Sequence, residues 1–156
     1  MQLLNRAASF TTSTNDLKHI YLTFIRSILE QSAVVWHSGL SGKNRKDQER
    51  VQKTGLKIVL GNNFTTYKSG LEMLNLDTLD ERRRKICLKF AQNSLKNEKM
   101  KIKFPLNFPK HKLRKTNKFE VSKQRTRRYK KTAIPYMEEL LNNHQNKKRK
   151  LIKEPG

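Results

Sequence analysis

The segment from Lys99 to Lys131 carries fourteen Lys or Arg side chains and one acidic residue, Glu120. A block of one sign cannot form a packed core, because its charges repel one another and each would lose its hydration on burial. We therefore expect this segment to lie on the outside of the fold, where it faces a polyanion. The remainder of the chain must supply the apolar surface that drives folding.

The charge of the chain is large and unevenly distributed. The formal net charge is +22 over 156 residues. Residues 1–98 carry 16 basic and 9 acidic side chains, whereas residues 99–156 carry 19 and 4. A positive field of this size attracts nucleic acid or an anionic membrane, and phosphates release condensed counterions when cations neutralise them. The length suits one domain with tails, which is too short to include a polymerase.

The sequence does not support membrane attachment or secretion. No apolar run approaches the roughly 20 residues that span a bilayer, and Met1–Phe10 lacks the sustained apolar centre of a secretory signal. The single Cys87 cannot form an intrachain disulfide, which favours a reducing, intracellular compartment. Lys147–Lys150 has the basic density of a nuclear localisation patch, and its alternative interpretation is a solvated tail. We expect an intracellular protein, with the nucleus as the favoured location.

Apolar residues between Asp16 and Trp36 recur at steps of three and four, which places them along one stripe of a helix. Thr14 or Asn15 is expected to cap its start. We expect the whole stripe to be packed in the core. Its members are Leu17, Ile20, Tyr21, Phe24, Ile25, Ile28, Leu29, Val35 and Trp36.

Three further helices follow from local signals. One is predicted from Arg45 to Leu60, closed by Gly61 in a left-handed conformation. A short helix capped by Thr66 extends through Leu74. The residues expected on the inside of these two helices are Val51, Leu56, Ile58, Val59, Leu60, Tyr67, Leu71 and Leu74. The third begins at a capping box, Thr78 to Glu81.

The helix that begins at this capping box carries Arg82–Lys85 in its first two turns. Cations near a helix N-terminus oppose the helix dipole, so local stability does not explain them. A binding partner of opposite charge would explain why these cations are present.

The basic segment contains two residues that disfavour helix, Pro105 and Pro109. Four isolated apolar residues within it either pin the segment to the helical body or form short extended pieces: Phe104, Phe108, Phe119 and Val121. A last helix is predicted from Thr132 to Asn143, with Pro135 in its first turn. Its inward residues are Ile134, Met137, Leu140 and Leu141.

These elements define an all-α fold, because no strand alternation and no internal repeat occurs. We expect a small helical bundle of about four to five helices, a basic irregular arm and a disordered C-terminal tail. The predicted organisation is a flexible lead-in or cut end (1–14), a helical body (15–98), the arm (99–131), a C-terminal helix (132–144) and the tail (145–156).

The sequence lacks the residue patterns of standard enzymes. Its six glycines never take the spacing of a phosphate-binding loop, and its four histidines and Cys87 do not form the close pairs that chelate a metal. Two-metal chemistry on nucleic acids needs clustered carboxylates. The densest acidic group is Asp77, Asp80 and Glu81, and Glu81 serves the capping box. We expect no catalytic residue, no metal site and no cofactor, and we interpret Cys87 as a half-buried structural thiol.

The arm combines cations with aromatic side chains, the composition that binds open nucleic-acid strands. Its cations lack the apolar face of a membrane-bound helix, which favours nucleic acid over membrane. The alternative is a solvated linker that Phe119 merely anchors. The residues expected to bind are Lys110, Lys112, Arg114, Lys115, Phe119, Arg125, Arg127, Arg128, Tyr129, Lys130 and Lys131.

Several motifs occur in a fixed order along residues 17–143. The first group is Ile28–Trp36, Glu49–Lys53 and Leu56–Gly61, and the next motif is Leu74–Arg83, with the pattern L-x-L-x-x-L-x-x-R-R. The last group is Cys87–Ala91, Lys118–Val121 and Ala133–Tyr136. In this order they resemble the region just after the catalytic palm in reverse transcriptases of non-LTR (LINE, jockey-like) retrotransposons.

In that family this region forms a helical thumb that grips the RNA template and primer duplex. The resemblance implies that Arg82, Arg83 and the arm cations face RNA or an RNA–DNA hybrid. It also implies upstream fingers and palm as partners. The paired aspartates of the palm are missing here, so the resemblance carries no activity. Gly55 departs from the family pattern and is expected to weaken its helix by roughly 1 kcal/mol relative to Ala.

The leading hypothesis is a non-catalytic C-terminal fragment of a retrotransposon RNA-directed DNA polymerase, which grips RNA or RNA–DNA hybrid through its basic arm. The alternative is an independent small basic protein that binds nucleic acid or ribonucleoprotein. A third hypothesis, a free-standing nuclease, predicts cleavage that depends on divalent ions.

Overall fold

The computed structural model describes residues 1–10, 13–108 and 117–153, with side chains described up to residue 147. Its helices are α1 (Gln2–Phe10), α2 (Thr14–Ile20), α3 (Ser27–Glu30), α4 (Ala33–Trp36), α5 (Gly42–Leu60), α6 (Tyr67–Met73), α7 (Leu79–Ser94), α8 (Glu98–Lys101), α9 (Arg127–Lys130) and α10 (Ala133–Lys153). In this part of the chain the only extended pairing is a single bridge between Leu106 and Phe119. The prediction of an all-α fold is confirmed, with more helical segments than the four to five expected.

The chain forms two compact units. The first unit consists of Met1–Ala33 and Leu40–Arg83, and the second of Val34–Gly39 and Arg84–Gly156. Each has its own buried apolar cluster.

The core of the first unit is made by α1, α2, α5 and α6 together with a π-helical turn, Tyr21–Arg26, that joins α2 to α3. Its buried residues are Leu4, Leu17, Tyr21, Leu56, Val59, Leu60, Leu71 and Leu74. The fully buried Leu4 corrects the prediction of a flexible lead-in. Residues 2–10 form α1 because Leu4, Ala7 and Ala8 share one helical face that packs against this core.

The long helix predicted from Asp16 to Trp36 is interrupted. The π-helical turn shifts the register of the apolar stripe, since its hydrogen bonds span five residues instead of four. Ser32 then adopts a left-handed conformation with φ 53°, which separates α3 from α4. As a result Phe24, Ile28 and Val35, predicted to be core residues, are 56%, 69% and 71% exposed, and Trp36 is half-buried.

Helix ends follow the local signals closely. Thr66 caps α6 and Thr78 caps the start of α7, as predicted, and Gly61 ends α5 with φ 52°. Ser13 caps α2 in place of the predicted Thr14 or Asn15, and Ser41 caps α5, which begins three residues earlier than expected. Each of these hydroxyl groups accepts a hydrogen bond from the backbone N–H three residues later, at 3.2 to 3.4 Å.

A partly buried chain of hydrogen bonds links α5 to the neighbouring elements of the first unit. The Tyr21 hydroxyl donates to Gln52 Oε1 at 3.1 Å, and Gln52 Nε2 donates to the Tyr67 hydroxyl at 3.1 Å. Tyr67 in turn donates to Glu49, whose second oxygen accepts the Asp80 N–H at 3.0 Å. Burial is the main cause that raises the pKa of Tyr21 and of Tyr67 above the usual value, so both hydroxyls stay protonated donors. Glu49 therefore caps α7 from another helix.

The core of the second unit lies between α7, the basic segment and α10. Its buried residues are Ala91, Phe104, Phe119, Met137 and Leu141, and Leu140 and Cys87 are buried as well. The predicted inward residues Met137, Leu140 and Leu141 are confirmed.

The C-terminal helix is longer than predicted, because α10 continues to Lys153. This corrects the prediction that the tail is disordered from residue 145. Residues 145–153 contain no Gly or Pro, and Lys, Arg and Gln are good helix formers. Each added residue extends a helix that the packed part of α10 has already nucleated.

Gly55 gives a direct test of the first core. A Cβ at this position would lie 2.6 Å from Cε2 of Tyr21, so Gly55→Ala forces the ring to move. We expect overpacking to cost about 1–3 kcal/mol, more than the gain of up to about 1 kcal/mol from helix propensity. Gly55→Ala should therefore lower the free energy of unfolding measured by urea denaturation. Gly42→Ala is the control, because nothing lies within 4 Å of its Cβ position. A Gly55→Ala protein as stable as the parent would contradict the Tyr21 contact.

Candidate nucleic-acid interface

The basic segment is folded back on itself at its centre. Residues 104–108 and 117–121 meet through the antiparallel bridge between Leu106 and Phe119, flanked by two backbone hydrogen bonds of 2.9 Å. The connecting residues 109–116 lie outside the described part of the chain. Four of the predicted binding residues fall there, and their role stays a prediction: Lys110, Lys112, Arg114 and Lys115.

Two buried polar side chains of α10 fix the segment after this bridge. Asn142 Oδ1 accepts the Phe119 N–H at 3.0 Å, and Asn142 Nδ2 donates to the Phe119 carbonyl oxygen at 3.1 Å. One turn earlier, Glu138 accepts both the Ser122 N–H at 2.9 Å and the Ser122 hydroxyl at 2.6 Å. The Asn142 amide thus replaces a neighbouring strand for the backbone of Phe119. These contacts hold residues 119–122 against α10.

Phe119 is a core residue and does not stack on a base. Its side chain is 3% exposed and packs with Phe104, Met137 and Leu141. This corrects its assignment as a binding residue and agrees with the alternative, in which Phe119 anchors the segment. The reason is that the bridge and the Asn142 amide satisfy the backbone there, so that the ring can be buried without unpaired polar groups.

Residues 125–131, which we call the basic turn, include the short helix α9. Thr126 caps it by accepting the Tyr129 N–H at 3.2 Å. Two hydroxyl donors hold its end: Ser38 donates to the Lys131 carbonyl oxygen and Thr132 to that of Tyr129, both at 2.8 Å. The turn is therefore tied to Ser38, after α4, and to Thr132, just before α10.

Every cation of the basic turn is exposed to solvent: Arg125, Arg127, Arg128, Lys130 and Lys131. Within residues 1–10, 13–108 and 117–147, no ion pair involves any of them. Tyr129 is 42% exposed beside these cations. The structure thus brings six of the predicted binding residues together on one exposed turn.

Arg83 is buried in the first unit. Its Nε donates to the Leu79 carbonyl oxygen at 3.0 Å, its Nη1 bonds to Gln48 Oε1, and burial lowers its pKa. This corrects the prediction that Arg83 faces nucleic acid. The sequence shows the charge of Arg83 but not Gln48, which lies 35 residues away on α5.

Arg82 remains on the surface, where its Nε lies 3.4 Å from Glu30 Oε2. Intramolecular partners therefore account for Arg82 and Arg83 at the start of α7.

Glu138 and Asn142 were missed by sequence reasoning. They lie one turn apart, next to the apolar positions Met137 and Leu141, and both are buried. Polar residues that recur at a helical spacing beside the inward apolar residues indicate buried groups, and buried polar groups need hydrogen-bond partners elsewhere in the chain.

No group of three or more His, Cys, Asp or Glu side chains that could hold a metal occurs among the described residues. The helices described are each too short or too polar to cross a membrane. Comparison with protein-family models, curated proteins and solved structures finds no match to this chain. The resemblance to retrotransposon reverse transcriptases rests on the sequence motifs alone.

The Asn142 amide should contribute more stability than its size suggests. Asn142→Ala leaves the buried N–H and C=O of Phe119 without their partner, at a cost of about 1–3 kcal/mol for each unpaired group. We expect the free energy of unfolding to fall by at least about 2 kcal/mol in urea denaturation. Asn143→Ala, at the exposed neighbouring position, is the matched control and should change it by less than about 0.5 kcal/mol. Equal effects of the two substitutions would contradict the Asn142 pairing.

Proposed function

We propose that this chain binds the phosphate backbone of RNA or an RNA–DNA hybrid through the basic turn, assisted by Lys110, Lys112, Arg114 and Lys115. The observation that carries the proposal is a set of five exposed cations on a turn that is hydrogen-bonded in place. Within the described residues their charges have no carboxylate partner closer than 4 Å. A polyanion would supply the missing negative charge.

The chemistry of the turn suits backbone contacts better than base recognition. The Arg guanidinium groups can each donate two hydrogen bonds to one phosphate, and the Lys ammonium groups act as point charges. Tyr129 offers a half-exposed ring for a base in an open strand. The short helix α9 has four residues, too few for a groove-reading helix. We infer affinity with slight sequence preference.

Anchoring of the segment also favours binding. A cationic tail without fixed structure must be ordered when it binds, which costs free energy. Here Glu138 and Asn142 already hold the backbone that leads to the basic turn. Less ordering is then needed when phosphates arrive.

The retroelement origin belongs to the same proposal. The ordered motifs between residues 17 and 143 support a post-palm, thumb-like region of a non-LTR reverse transcriptase, without catalysis of its own. Upstream fingers and palm would be its partners, and a nuclear location would fit the patch Lys147–Lys150. Cleavage of a labelled strand by the purified chain with Mg²⁺ or Mn²⁺ would contradict the non-catalytic assignment.

A second candidate is an independent small protein that binds nucleic acid or ribonucleoprotein. Each unit buries an apolar cluster built from its own residues, which favours a chain that folds without a partner. Genomic context separates the two candidates. An upstream reading frame with palm motifs supports the first, and an isolated gene with its own promoter supports the second.

Salt dependence tests the phosphate contacts. If about six cations meet phosphates on a duplex, log affinity should fall with log salt concentration at a slope of about −5. Neutralising Arg125, Arg127 and Arg128 to Gln should bring the slope closer to zero by about 0.9 for each lost contact. Fluorescence anisotropy of a labelled RNA–DNA hybrid, between about 50 and 200 mM salt, measures both.

The matched control neutralises three exposed cations of α5, namely Lys43, Lys46 and Lys53. This variant has the same net charge as the triple Arg variant, so it separates a local site from a general charge effect. A flat salt dependence of the parent chain, or equal loss of slope in both variants, would contradict the proposal.

A further inference from the structure

A second feature of the molecule lies in the first unit, away in sequence from the basic turn. It is a cleft of about 410 Å³ lined by the π-helical turn, by α3, by the loop between α6 and α7 and by the first turn of α7. A volume of this size is within the range of small-molecule sites. Its lining residues are Leu22, Arg26, Ser27, Glu30, Asn75, Leu76, Asp77 and Arg82.

One carboxylate organises two guanidinium groups in this cleft. Glu30 Oε1 lies 2.8 Å from Arg26 Nε, and Glu30 Oε2 lies 3.4 Å from Arg82 Nε. The side chains of Arg26 and Glu30 are 8% and 15% exposed, so surrounding atoms fix their positions. Both ion pairs use Nε. Among the residues that the structure describes, no further carboxylate pairs with Arg26 or Arg82, so the Nη1–Nη2 edge of each guanidinium group remains for a second anion.

This arrangement suits a phosphate group. A guanidinium edge donates two parallel hydrogen bonds, and a phosphate monoester has enough free oxygens to accept from two such edges. Glu30 holds the two positive groups together, and Asp77 is a second carboxylate in the same lining, so the two guanidinium groups carry no surplus charge over the two carboxylates. Recognition of a phosphate therefore depends on two oriented sets of donors and not on net positive charge.

The rest of the cleft favours a nucleotide over a bare phosphate. Leu22 and Leu76 supply apolar wall, on which a base or sugar loses water. Ser27 and Asn75 lie among the same lining residues and supply hydrogen-bonding groups. Asn75 holds a left-handed conformation with φ 50°, which turns the chain at the edge of the cleft.

We propose that this cleft binds the 5′-phosphate of a nucleotide, with Arg26 and Arg82 as its phosphate ligands. The nucleotide is either free or the terminal residue of a strand. The proposal does not depend on the basic turn, which belongs to the other unit and binds internal phosphates through net charge.

The test is isothermal titration of the full chain with AMP, inorganic phosphate and adenosine. We expect saturable binding of AMP, weaker binding of inorganic phosphate and none of adenosine. Arg82→Gln should weaken AMP binding at least about tenfold, because it removes a charge-assisted pair of hydrogen bonds. Arg82→Lys keeps the positive charge but loses the paired donors of the guanidinium group. Its affinity for AMP should therefore lie between that of the parent chain and that of Arg82→Gln.

Arg84→Gln is the matched control, since Arg84 is exposed on the same helix, loses the same charge and does not line the cleft. It should leave AMP affinity within about twofold of the parent, a difference of under about half a kcal/mol. Equal losses in Arg82→Gln and Arg84→Gln would overturn the proposal, as would the absence of saturable AMP binding. Arg82 is half-exposed, so its variants should keep the helical circular dichroism of the parent.

Competition with oligonucleotides identifies the source of the phosphate. Displacement of AMP by a 5′-phosphorylated strand, but not by the same strand with a 5′-hydroxyl, assigns the cleft to a strand terminus. Displacement by neither assigns it to a free nucleotide. Equal displacement by both strands would overturn the proposal, because internal phosphates would then suffice.

Discussion

The hydrogen bonds between α10 and residues 119–122 hold the part of the chain that leads to the basic turn. A run of like charges has no apolar surface with which to fold, so its position must be imposed by other residues. Glu138 and Asn142 impose it by binding the backbone of Ser122 and Phe119, while the ring of Phe119 fills the core beneath them. The charges themselves take no part in this anchoring. The side chains that fold this segment are thus different from the exposed cations that we propose to bind nucleic acid.

In the first unit, polar side chains of one helix likewise form hydrogen bonds to neighbouring elements. Glu49 and Gln52 on α5 bind groups of α6 and of the start of α7, and Arg83 is buried against Gln48. Buried polar groups of this kind are costly unless every donor finds an acceptor, so they fix the relative register of the helices they join. The Tyr21 ring against Gly55 adds a steric constraint at the same place. Register in this unit therefore depends on polar pairing and on close packing together.

The parts of the fold that the sequence predicted depend on residues close together in the chain. The caps at Thr66 and Thr78 involve groups three residues apart, and the inward face of α10 follows from helical spacing. Errors arose where distant residues decide the outcome. Arg83 is buried by Gln48, and Phe119 is buried through Asn142, 23 residues away. The π-helical turn also broke the assumption of constant helical period from which Phe24 and Ile28 were assigned to the core.

The candidate site was predictable in composition but not in geometry. Charge counting placed the cations of residues 125–131 at the surface, since solvated Lys and Arg need no partner to be stable. Their fixed arrangement depends on Ser38 and Thr132, whose hydroxyls carry no recognisable pattern in the sequence. The role of Glu30 was also not predictable from the sequence. It pairs with both Arg26 and Arg82 only because the fold brings together helices that are separated in sequence.

The central claim is that a positioned basic turn meets nucleic acid. It is tested most directly by following the backbone amide resonances of the labelled chain while an RNA–DNA hybrid is added. The account predicts that shift changes among the described residues concentrate at 125–131, that amides of α5 stay in place, and that the changes disappear at high salt. Shift changes spread evenly over α5 and α10, with none larger at 125–131, would contradict it.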